Sequence, residues 1–171
     1  MSRRPSSCAT SDSNVRGPQL AARLLGGLRS AEPCARDDAA AELGELVGAD
    51  AGAMPAEDAQ AFLVEIHHAV PDMLNSPHAH EREGALLAVD ALIDAEIDES
   101  EEVGARLSRL VSYLRLAVAR VGVEDETALA SCGVVLSRIA RVGGALAADT
   151  LDTEAKRAME ALRDEEVLAH L

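Results

Sequence analysis

Leu20, Leu24, Leu25 and Leu28 recur three and four residues apart, with polar or small residues between them. That spacing puts all four on one face of a helix and predicts an element over about Gln19–Leu28. The same period returns along the rest of the chain. Ala39, Leu43, Leu46 and Val47 mark a helix over about Ala35–Val47, with Asp37 and Asp38 in the first turn, where the helix dipole favours negative charge. Pro55 suits a first helical position and opens a segment through Phe62, Leu63, Ile66, Val70 and Met73, whose last turn Pro71 is expected to loosen. Asn75-Ser76-Pro77 breaks the chain before a helix over about Ala79–Ala95, with Ala85, Val89, Leu92 and Ile93 in a stripe. An acidic linker follows. Val103, Leu107, Leu110, Val111, Leu114 and Val118 then give the cleanest amphipathic pattern, and beyond Gly122 a segment over about Glu124–Val142 aligns Cys132, Leu136, Ile139 and Ala140. Gly143-Gly144 stops it, and a last helix is expected over about 150–168. Residues 1–17, rich in Ser, Thr, Arg and Pro, are too polar to offset the entropy of ordering and read as a loose tail.

Helices joined by short connections form either a compact bundle or a solenoid, and a fixed internal period separates the two. Arg36, Ala39, Leu43, Leu46 and Val47 coincide without a gap with Arg82, Ala85, Val89, Leu92 and Ile93 at a step of 46 residues. A further step of 47 brings Cys132, Leu136, Ile139 and Ala140 onto Ala85, Val89, Leu92 and Ile93. Two helices per unit at a period of about 40 to 47 residues is the mark of HEAT and armadillo repeats. The expected fold is therefore all-α, a HEAT/armadillo-like solenoid with hairpins over about 19–47, 55–95 and 102–142 and a final helix. Its repeat seam is assigned to Ala39, Leu43, Leu46, Ala85, Val89, Leu92, Ile93, Cys132, Leu136 and Ile139. A small residue in the early slot lets the neighbouring hairpin approach, and branched residues after it fill the gap. A plain helical bundle is the alternative.

Composition sharpens this picture. Hydrophobic residues make up 48% of the 171-residue chain but aromatics only 1%, so Leu, Val, Ile and Ala must build the core, and that mixture favours helix over strand. The net charge of −14 repels duplex nucleic acid and anionic membranes, which argues against both as partners. Cys8, Cys34 and Cys132 are odd in number and far apart, which suggests neither a disulfide framework nor a zinc site. No run of about 18 apolar residues occurs, nor a secretory h-region at the start, and the chain reads as soluble and cytoplasmic.

Candidate chemistry is thin. His67-His68 and His78-x-His80 invite a metal reading, and a helical-bundle metal protein is the least favoured alternative. Adjacent helical histidines point about 100° apart, however, and His80-Glu81-Arg82-Glu83-Gly84 fails H-E-x-x-H at its last position. An EF-hand beginning at Asp94 would need Gly and Glu where Glu99 and Ala105 stand. Phosphate-binding glycine loops, nucleophile elbows and the kinase signatures H-R-D and D-F-G are absent from the sequence. No catalytic residue, cofactor site or metal site is assigned.

From Phe62 onward the chain resembles the extreme N-terminal HEAT segment of the target-of-rapamycin (TOR) serine/threonine kinases. The strongest block is Glu65-Ile-His-His68 followed by Asn75-Ser-Pro-His-Ala-His-Glu-Arg-Glu-Gly-Ala-Leu-Leu-Ala-Val-Asp-Ala-Leu-Ile93, similar to the family's histidine-pair helix, E-R-x-G turn and following apolar helix. Ser112-Tyr-Leu-Arg115, Leu136-Ser-Arg-Ile-Ala140 and Glu154-Ala-Lys-Arg-Ala-Met-Glu-Ala-Leu162 match three further blocks in the same order. The resemblance implies a scaffold segment of a very large ATP-dependent kinase whose kinase domain is not in this chain, present here as a fragment or a truncated product. It implies as partners a Raptor-like scaffold subunit, a Rheb-like GTPase and the rest of the parent solenoid, in the cytoplasm, on endomembranes or in the nucleus within a complex. A free-standing HEAT adaptor without a kinase is the alternative.

Overall fold

A computed structural model of the chain describes residues 16–48, 54–93, 103–120 and 128–144, with positions 148, 152, 153 and 156. These residues form helices and turns, with no strand among them. The helices are α1 (Arg16–Leu28), α2 (Pro33–Val47), α3 (Ala56–Leu74), α4 (Ala79–Leu92) and α5 (Val103–Arg120). The last, α6, covers residues 128–144. The acidic linker and most of the tail lie outside the described residues, as does the final helix expected over 150–168 apart from the helical positions 152, 153 and 156.

The expected start of α1 at Gln19 is three residues late, because Pro18 is not a boundary. A helix's first four N–H groups have no acceptor within it, so proline costs nothing in the first turn, and the helix begins at Arg16. Pro33 opens α2 for the same reason and also fixes φ near the helical value. Pro71 lies inside α3, and the helix continues past it to Leu74.

Within the hairpins α1 packs on α2 and α3 on α4; between them α1 lies along α3 and α2 along α4, and α5 contacts both α3 and α4. First helices thus stack on first helices and second on second, in two rows: an all-α solenoid. Leu24, Leu28, Phe62, Ile66, Met73, Leu74, Leu92, Leu110 and Ile139 are fully buried between the rows and along the seams. Each such side chain contributes about 1.5–3 kcal/mol relative to exposure.

Two glycines set how closely the hairpins approach. A Cβ built on Gly84, near the start of α4, would lie 1.8 Å from the carbonyl oxygen of Leu28 at the end of α1. One built on Gly17 would lie 2.3 Å from the carbonyl oxygen of Asp58. Both obstacles are backbone, which a side-chain rotation cannot clear. Gly26, exposed on α1, has nothing within 4 Å of its would-be Cβ. Gly84→Ala is therefore expected to destabilise the chain by about 1–3 kcal/mol or more through overpacking. Gly26→Ala should stabilise it by about 0.5–1 kcal/mol, the helix-interior preference for alanine. Urea midpoints of the two variants moving in the same direction would contradict this packing.

Candidate functional site on the second-helix row

The turns between paired helices carry the chain's polar architecture. Arg36 is only 4% exposed, yet its guanidinium is well supplied with acceptors. Its Nη1 donates to the carbonyls of Ser30 (2.9 Å) and Ala31 (3.1 Å), and its Nη2 donates to Glu83 on the next hairpin. Arg82 repeats the arrangement one unit on, with Nη1 donating to Ser76 O (3.0 Å) and Pro77 O (3.1 Å). The serines match as well: Ser30 Oγ accepts from the Glu32 amide and Ser76 Oγ from the His78 amide, both at 3.1 Å. An arginine at the fourth position of α2 and of α4 thus ties down the carbonyls left open by the turn before it. The signal was present in the sequence, since Ser30 and Ser76 stand on the same step of 46 as the arginines.

A second tie joins α3 to α5. Pro71 has no N–H to offer the carbonyl four residues back, which belongs to His67. Tyr113 fills that gap: its hydroxyl donates to His67 O at 3.3 Å and lies 3.2 Å from His67 Nδ1. The hydroxyl thus sits between the carbonyl and the ring of the same histidine. Burial pushes the His67 imidazole down to about 4, and the Arg109 guanidinium adds to the effect. His67 is therefore a neutral structural side chain. His68 is exposed, and His78 and His80 stack on one another with ring centroids 5.5 Å apart. Among the described residues no three or more His, Cys, Asp or Glu side chains are grouped to hold a metal ion.

Of the seam residues read from the sequence, Ala39, Leu43, Ala85, Val89, Leu92, Ile93, Cys132 and Ile139 are buried and Leu46 is half-buried. Leu136 is not in the seam. It is 37% exposed, and Val135, 4% exposed, takes the inward position. The buried residues of α6 are Cys132, Val135, Ile139 and Gly143; at the step of 47 the first three fall on Ala85, Ala88 and Leu92, all buried, while Leu136, which falls on the buried Val89, is turned outward.

On their outer side α2, α4 and α6 form a shallow groove of about 470 Å³. Ala40, Ala41, Gly44 and Ala91 make its floor and Leu87 one wall. Glu45 and Asp90 stand at the rim. Arg138 closes one end, its guanidinium paired with the Asp90 carboxylate and reaching the Asp90 carbonyl at 3.4 Å, so that α6 is tied to α4. Nothing here resembles a nucleophile, a general acid–base pair or an oxyanion cradle. The arrangement can offer a surface.

The two-row stack of hairpins is that of HEAT-like solenoids, proteins built to present an extended face. Comparison of sequences adds the family. The chain is 32% identical over 125 residues, 73% of its length, to the serine/threonine-protein kinase tor1 of Schizosaccharomyces pombe. It is 28% identical over 133 residues, 78% of its length, to TOR2 of Saccharomyces cerevisiae, and 30% identical over 123 residues, 72% of its length, to TOR of Oryza sativa subsp. japonica. It is thus a helical segment related to the TOR serine/threonine-protein kinases. Each match spans about 5% of the relative. No family model matches the chain, and no solved structure does.

Two measurements follow. Ile139→Ala is expected to cost about 2–5 kcal/mol and Leu136→Ala well under 1, whereas a seam holding both residues would make both substitutions costly; urea denaturation decides between them. The second concerns His67, which is neutral in the fold but takes up its proton near pH 6.5 when unfolded. As pH falls below about 6.5 the unfolded chain binds the extra proton, so the site's contribution is complete above that pH and lost on the way down to about 4. Allowing for partial solvent screening, wild type should lose about 1–2 kcal/mol more than His67→Gln between pH 7 and pH 4.5. Parallel stability profiles for the two proteins would rule this out.

Proposed function

We propose that this chain is a protein–protein interaction scaffold, corresponding to the amino-terminal helical segment of a TOR-type kinase and contributing no catalysis of its own. The observation that carries the reading is the pairing of kinship with the TOR kinases and a solenoid face free of catalytic groups. Kinase signatures are absent from the 171 residues, and Arg36, Arg82 and Tyr113 are tied down in turns and a seam. In this reading the phosphoryl-transfer machinery belongs to the remainder of the parent kinase. The partners are a Raptor-like scaffold subunit, a Rheb-like small GTPase and the repeats that continue the parent solenoid. The working compartment is the cytoplasm. No helix among the described residues is long and apolar enough to cross a membrane, so any membrane association would come through the complex.

The chain and the purified Raptor-like scaffold subunit from the same organism should co-elute in size-exclusion chromatography. Separate elution at micromolar concentrations of both would remove the scaffold assignment.

A further inference from the structure

The outer face of α2 carries Asp37, Asp38 and Glu45, all exposed and with no ion pair among the described residues. The cations on α2 and α4 are already engaged: Arg36 is buried in its turn and bound to Glu83, and Arg82 is directed at the carbonyls of Ser76 and Pro77. Arg138, at the groove's closed end, is paired with Asp90. The α2–α4 stretch therefore presents uncompensated negative charge beside a small-residue floor. A Cβ built on Gly44 would meet the Ala91 methyl at 3.9 Å, so α2 and α4 approach closely at the floor.

We propose that this groove docks a basic segment of a partner protein, with an aliphatic side chain on the Ala40–Ala41–Gly44–Ala91 floor against Leu87 and a lysine or arginine at the carboxylate of Glu45. The proposal rests on the scaffold reading and adds the chemistry of the partner. The apolar floor rewards burial of a leucine-sized group, while the acidic rim and the net charge of −14 draw cations in and turn phosphate-bearing ligands away. The rim fixes sign and register, and the floor supplies the contact energy.

The test uses the whole chain and three fluorescein-labelled peptides read by anisotropy: one with leucines flanked by arginines, one with glutamates replacing the arginines, and one with serines replacing the leucines. The first should bind, the second should not, and the third should bind about tenfold more weakly or worse. Ala41→Trp, which fills the groove from an exposed position, and Glu45→Lys, which reverses the rim, should each weaken the first peptide about tenfold or more with unchanged urea midpoints. The proposal is overturned if the arginine–leucine peptide fails to bind, if the acidic peptide binds as tightly, or if both variants bind like wild type, which would mark diffuse attraction to an anionic protein. Failure of the peptides with intact co-elution of the scaffold subunit sinks the groove alone. Groove-dependent peptide binding without co-elution sinks the choice of scaffold subunit and leaves the groove.

Discussion

Leu24 and Leu28 on α1 and Phe62, Ile66 and Leu74 on α3 are all shielded from water, and α3 lies along α1. A two-helix hairpin has only one interior, too thin to enclose side chains on both flanks, so each unit depends on the next for the other wall of its core. The dependence is geometric as well as energetic. It requires backbones to come within touching distance at the seam, which is why Gly84 sits under the Leu28 carbonyl and Gly17 under that of Asp58. Branched side chains at either position would hold the hairpins apart and open the seam that the leucines fill.

Stacking hairpins also creates a problem at their ends, where helix-terminal carbonyls approach the core without intrahelical partners. The chain meets it with side chains from outside the helix that needs them. Arg36 and Arg82 fold back on the turns that precede them, and Tyr113 reaches from α5 to the carbonyl that Pro71 leaves open on α3. Arg36 also grips Glu83 of the next unit, so one buried cation closes a turn and joins two repeats. Such groups are engaged in holding turns and seams together.

Apolar stripes were legible in the sequence because helical period and burial are the same fact seen twice, and the stripes of α2 and α4 follow directly from positions 36–47 and 82–93. The facing of Leu136 was not. A stripe read from hydrophobicity alone offers Leu136 and Val135 equally, and only the way α6 packs distinguishes them. His67 shows a different limit. Its pairing with Tyr113 spans 46 residues and is called for by a proline four positions on, so no local pattern announces it. The groove was equally hidden, because Ala41 and Ala91 are individually unremarkable and acquire meaning only when α2 and α4 lie side by side.

These constraints leave the molecule with two kinds of surface. The inner faces are committed: they are apolar, closely spaced and dependent on register. On the outer side of the second-helix row Asp90 and Arg138 tie α4 to α6, but Asp37, Asp38, Ala41 and Glu45 of α2 are exposed, while α2 buries Leu43 and Val47 and α4 buries Val89 and Leu92. The seam and the outer face are therefore set by different residues on the same helices. Such a face can change its charge pattern without disturbing the seam, as long as the small residues where α2 meets α4 stay small.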